Sequence, residues 1–163
     1  GELLMSFYVR VFSQVEDFPS LYTLCDELLE EGFEFATSPG KDEPGFREED
    51  WRSLILQYDE ELKPIELERN IKEAGDTVFK EEQEEFLEAI KKLPYSKGQK
   101  KALEIIKSAV QIYAFEVDED ITEEGWDFLE CMLDLISDAT DGYVQVDDEG
   151  IYDKDGELLL ELE

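Results

Sequence analysis

A chain carrying 45 acidic side chains against 15 basic ones folds only if its apolar residues are concentrated enough to overcome the repulsion. So high a charge goes with disorder where apolar residues are dilute. Here they make up 42% of the 163 residues and fall in organised runs, so the sequence reads as one folded domain, or two small ones sharing a core. No apolar run approaches the roughly 20 residues that cross a bilayer, and no basic segment precedes an apolar one at the start. A soluble, cytosolic protein is expected. Cys25 and Cys131 lie among apolar residues of predicted helices and form no disulfide framework, which agrees with a reducing compartment.

The charge is regional. Residues 1–70 carry −12, residues 71–108 are neutral, and residues 109–163 carry −18 with Lys154 as their one basic residue. Both acidic regions repel a phosphate backbone or an anionic lipid surface, so neither nucleic acid nor membrane is expected as a partner. The same field attracts a basic protein or a divalent cation. Salt adaptation is the competing explanation, weakened by 11 Lys against 4 Arg.

Residues 3–12 are aromatic and β-branched and predict a strand buried on much of both faces. A helix follows, with Asp17 as its N-cap, Leu21, Leu24 and Leu28 at helical spacing, and Gly32 as its left-handed terminator. Residues 33–37 resume strand, and residues 38–50, with two Pro and two Gly, read as a long surface loop. The alternation in 51–59 and 65–69 predicts an antiparallel hairpin. Two helices, 77–93 and 97–108, are separated by Pro94. Then come a strand at 109–117, a helix capped by Thr122, a short strand at 143–146, and a hairpin turning at Asp153-Lys154-Asp155-Gly156.

The order β-α-β-β-β thus occurs twice. Phe12 and Glu16-Asp17-Phe18 match Phe115 and Glu119-Asp120-Ile121 at a spacing of 103. The expected fold is α+β: one unit in 1–70, a helical connector in 71–108 and a second unit in 109–163, with duplication as the preferred origin.

Without His there is no imidazole base, no Ser-His or Cys-His nucleophile pair and no His-containing zinc site. No phosphate cradle, nucleophile elbow or other cofactor motif is present. Asp153 to Gly156 fails as an EF-hand because Ile151 and Leu162 occupy the two essential end positions. Carboxylates remain, in two clusters. Glu116, Asp118, Glu119 and Asp120 stand at a strand-to-helix junction and are the candidate divalent-metal ligands; Asp147, Asp148 and Glu149 precede Gly150.

Aromatics flanked by acids are candidate interface anchors, with core packing as the competing reading, which adds Phe46, Glu48, Glu49, Asp50 and Trp51 to Asp147, Asp148 and Glu149 as partner-binding residues. The leading expectation is a non-enzymatic module engaging a basic protein, as an inhibitor, immunity-type factor, nucleic-acid mimic or adaptor would. A carboxylate- or metal-dependent hydrolase near Glu116 or Asp147 is the alternative. An edge strand could also pair with its copy to form a homodimer.

Overall fold

The computed structural model describes residues 5–73 and 75–163. Its first strand, β1 (Ser6–Ser13), comes from the opening apolar run; residues 3 and 4 of the predicted strand lie outside the described residues. Along β1 the side chains alternate, Val9 and Val11 toward one face, Arg10 and Phe12 toward the other. That pattern places β1 in the middle of the sheet rather than at an edge. It pairs antiparallel with β5 (Gln111–Asp118) on one side and with β6 (Gly142–Val146) on the other.

The remaining strands extend outward in two arms. β2 (Ala36–Ser38), β3 (Ser53–Gln57) and β4 (Ile65–Ile71) build one arm; β7 (Gly150–Tyr152) and β8 (Leu158–Glu161) continue the other from β6. The result is one antiparallel eight-stranded sheet in the order β2-β3-β4-β5-β1-β6-β7-β8. The fold is α+β, with helices on both faces of this sheet.

Helices α1 (Leu21–Glu30) and α4 (Glu123–Thr140) bury Leu24, Leu28, Phe128, Met132 and Ile136 against Val9, Val11, Leu56, Leu67 and Phe115, forming the larger core. On the opposite face α2 (Thr77–Lys91) and α3 (Lys97–Ser108) close over Phe12, Ile112 and Ile151. The smaller pair leaves the β2–β4 arm open on that side, where Ile55 is 37% exposed and Glu66 and Glu68 face solvent. Among the described residues no helix is long and apolar enough to cross a membrane.

Local signals account for most boundaries. Thr122 accepts from the Gly125 N–H at 3.1 Å, as its position predicts, and Gly32 takes φ +93° after α1. The α1 cap differs: Ser20, not Asp17, accepts from the Thr23 N–H at 3.0 Å, because Pro19 delays the first helical turn and leaves Asp17 in extended chain. The expected long loop is also shorter than its composition implies. Residues Pro44–Arg47 form a 3₁₀ turn that drives Phe46 into the core.

The element orders β1-α1-β2-β3-β4 and β5-α4-β6-β7-β8 are alike, and α1 and α4 lie on one face. Spatial order does not follow. Outward from the central pair the first arm runs β4, β3, β2, whereas the second runs β6, β7, β8. The matched Phe12 and Phe115 point to opposite faces, because Phe115 pairs with Val9, which stands three positions from Phe12 on β1 and so faces the other side.

Candidate binding surfaces

Trp51 and Phe46 are the first of the expected interface residues to be placed, and the structure puts both in the core at 2% exposure. The Trp51 indole N–H donates to the Pro19 carbonyl at 2.8 Å, and its ring lies 6.0 Å from that of Tyr113. Phe46 meets Tyr22 edge to face at 4.8 Å. Arg69, only 3% exposed, locks this corner: its guanidinium donates to the Trp51 carbonyl, to Asp50 and to Gln111 and lies 3.8 Å from the Phe18 ring centroid. Hydrogen bonds from Arg52 and then Arg69 hold the Asp50 carboxyl below its usual range. Glu48 and Glu49 stay exposed, without the aromatic neighbours that an interface there requires. The expected Trp51–Phe46 interface is therefore corrected to a structural corner, because the 3₁₀ turn carries Phe46 inward while Pro19, Tyr113 and Arg69 hold the Trp51 ring.

The four carboxylates considered for a metal also separate. Glu116 and Asp118 project from β5 on the α2–α3 face; Glu116 sits opposite Glu66 on β4 and Tyr8 on β1, accepting from the Tyr8 hydroxyl at 3.5 Å. Glu119 and Asp120 lie in the exposed turn toward α4, where the Glu119 N–H donates to the Met5 carbonyl. Among the described residues no three His, Cys, Asp or Glu side chains are grouped to hold a metal ion. What the arrangement does create is a like-charged cross-strand pair, Glu66 and Glu116, which costs stability.

Asp147, Asp148 and Glu149 form the β6–β7 turn and stand between two hollows on opposite faces of the sheet. Asp147 accepts from the Arg10 guanidinium and the Gln145 amide, both at 2.9 Å, and from the Tyr8 N–H at 3.0 Å. Asp148 takes a left-handed φ of 65°, and Glu149 accepts from the Tyr152 hydroxyl. Arg10 also lies 4.9 Å from the Tyr8 ring centroid and 5.1 Å from that of Phe86. Its Nε comes within 3.4 Å of Glu82, a pair close enough for ionic attraction but not aligned as a hydrogen bond. Burial raises the Glu82 carboxyl above its usual range despite that cation. With Asp147, Gln145 and Glu82 gathered around Arg10, this side of the turn is a structural cluster beside a hollow of about 370 Å³.

The other side is a groove of about 650 Å³ between α4 and the β6–β7–β8 arm. Its floor is apolar, from Val144 and Val146 on β6 and Leu133 on α4, with Trp126 at one end stacked on Phe7 at 5.6 Å. Its rims are acidic: Glu130, Asp134 and Asp138 on α4 face Glu149, Asp153 and Asp155 across the opening. The single ammonium is committed, since Lys154 donates to the Gly142 carbonyl at 2.9 Å and pairs with Asp141 at 2.8 Å, closing the groove at the C-terminal end of α4. Burial and then Asp138 raise the Asp134 carboxyl. Ser137 Oγ, shielded from solvent and lacking a hydrogen-bond partner, belongs to the same wall.

Of the expected partner-binding residues, only Glu149 lines this groove. The α4 residues were missed, although Trp126, Glu130, Asp134 and Asp138 recur every fourth position and so share one helix face. No protein-family model matches the chain, and no match is found among curated proteins or solved structures.

Proposed function

We propose that this protein is a non-enzymatic, cytoplasmic binding module that engages a basic protein partner, in the manner of an inhibitor, an immunity-type factor, a nucleic-acid mimic or an adaptor. The observation that carries the reading is the groove beside α4, where six carboxylates ring an apolar floor and the lone ammonium is already paired. Apolar floor and polar rim are the ordinary anatomy of a protein interface. The acidic rim selects a basic occupant, accelerates its encounter and rejects acidic competitors. A free carboxylate row also bears its own repulsion, which a bound cation relieves.

The test is capture of partners on the immobilised full chain from lysate of the source organism at low salt, elution at high salt, and titration of the purified partner at several ionic strengths. A single basic protein whose affinity falls steeply with salt supports the reading. A partner bound without salt dependence, or specific capture only of acidic or neutral proteins, overturns it.

A further inference from the structure

Resting on the binding-module reading, we infer that the groove beside α4 receives a basic amphipathic helix of the partner, laid antiparallel to α4. The layer above the sheet supplies the shape. On this face α1 packs along one flank of α4 and α4 itself lies over β1 and β6, while beyond its other flank the strip above β7 and β8 carries no helix among the described residues. Two strand spacings of about 4.8 Å carry a neighbouring helix axis about 10 Å from that of α4, the ordinary separation of packed helices. The exposed wall of α4 runs from Trp126 to Asp138, about 18 Å at 1.5 Å per residue, or about three helical turns.

The charges supply the register. Glu130, Asp134 and Asp138 stand four residues apart and so rise about 6 Å per step. A neighbouring helix with Lys or Arg at every fourth position repeats with the same rise and meets all three. Its apolar stripe then falls on Val144, Val146, Leu133 and Trp126. An extended segment with cations at alternate positions advances about 6.7 Å per step, a mismatch of about 1.4 Å over the three acids, so the width of the strip rather than the charge spacing selects the helix.

Direction follows from the closed end. Asp153 and Asp155 lie there beside the C-terminus of α4, so an occupant beginning at that end presents its positive N-terminal dipole to them. A second copy of this chain does not fit: the Lys residues of α3 are exposed, but the apolar stripe of that helix is already buried against the other face of the sheet and cannot cover the groove floor.

The probe is a synthetic fluorescent peptide of about 14 residues with Leu on one helical stripe and Lys at every fourth position beside it. The comparison is an isomer of identical composition whose order abolishes the stripe. Anisotropy at physiological salt gives affinity, amide chemical shifts give location, and a nitroxide at the peptide N-terminus gives direction. Two exposed double variants accompany the wild type: Glu130→Lys with Asp134→Lys in the groove, and Glu66→Lys with Glu68→Lys on the open sheet face.

The amphipathic peptide is expected to bind about tenfold more tightly than its isomer, to lose about tenfold in affinity on the groove variant and to change less than about threefold on the sheet variant. Shifts should map to Val144, Val146 and the exposed wall of α4, with nitroxide broadening near Asp153 and Asp155. Equal binding of both peptides, or equal loss on both variants, overturns the groove and the helix while leaving attraction of a basic partner intact. Binding confined to the groove but favouring an alternating extended peptide overturns the helix alone. Failure of every basic peptide to bind at low salt overturns this inference together with the reading beneath it.

Discussion

Gly98→Ala sets two opposing effects against each other at one residue. Gly98 lies in the first turn of α3, where Ala is intrinsically the better helix former by at most about 1 kcal/mol. A Cβ at this position, however, would stand 2.1 Å from the backbone carbonyl oxygen of Leu159 in β8. Ordinary contact needs over an ångström more, and a backbone carbonyl cannot rotate aside as a side-chain tip does. Either α3 lifts from Ile151 and Leu162, or β8 moves. Overpacking of this kind costs about 1–3 kcal/mol, and the displacement required here belongs in the upper half of that range. The clash wins, leaving a net destabilisation of about 1–2 kcal/mol. For a domain of this size that lowers Tm by about 2–8 °C. Urea unfolding should show a lower midpoint at unchanged slope, the signature of lost stability without a change in exposed surface. An unchanged or raised midpoint would refute the reasoning, since it would mean that α3 and β8 are not held in the close contact that fixes the outer arm.

Trp51→Ala should cost about 3–5 kcal/mol in urea unfolding, because it leaves a large cavity and an unpaired Pro19 carbonyl; a loss under 1 kcal/mol would restore Trp51 as a surface residue. Glu82 has a raised folded-state pKa, so its protonated form contributes stability that is fully present below its ordinary value of 4.5 and is lost as pH rises through the folded value. Glu82→Gln should therefore flatten the decline in stability over that window, as followed by thermal unfolding at stepped pH, and an unchanged slope would count against burial as the cause. Burial pushes the Cys25 thiol up to about 11, so in the native protein it should react with a thiol reagent at pH 8 far more slowly than in urea, and mass spectrometry should find Cys131 labelled first. Asp134→Asn should stabilise the free protein by about 0.2–0.5 kcal/mol at low salt, a gain that shrinks in high salt, because it removes the i,i+4 repulsion with Asp138; destabilisation would show that the pair is not strained.

Element order was legible from local pattern because each signal is short in range. Thr122 caps its helix, Gly32 ends another, and alternation at Leu54, Leu56, Ile65 and Leu67 marks a hairpin. Sheet order was not, since nothing in residues 6–13 states that their partners lie about a hundred residues or more away at 111–118 and 142–146. The same gap misled the reading of the aromatics. Trp51 follows three acidic residues and looks exposed, yet the pull of Pro19, Arg69 and Tyr113 on its ring exists only after folding. The groove was half visible. Its α4 wall is written in four residues at a fourfold step, but its floor comes from a strand that only the tertiary fold lays alongside.

The acidic groups differ in what they do for the fold, and that difference locates function better than their number does. Asp50, Asp76 and Asp147 accept hydrogen bonds from Arg69, the Phe79 N–H and Arg10, and each holds a corner, a helix start or a turn together. Glu130, Asp134, Asp138, Asp153 and Asp155 pair with no cation of this chain in the structure described. Asp153 caps its own turn through the Asp155 and Glu157 N–H groups, which explains that one residue without invoking a partner. The α4 row has no such explanation. It sets like charges four residues apart on a helix whose stability they lower, along a strip where Trp126, Val144 and Val146 remain half-buried. Residues that lower the stability of the free protein yet would fit a complementary surface are the expected mark of a site shaped for binding rather than for folding. Like-charged pairs four residues apart also occur at α1, Glu27 with Glu31, and on α2, Glu81 with Glu85 and Glu84 with Glu88, so what sets the α4 row apart is the apolar floor beside it, and the proposed partner rests on that coincidence.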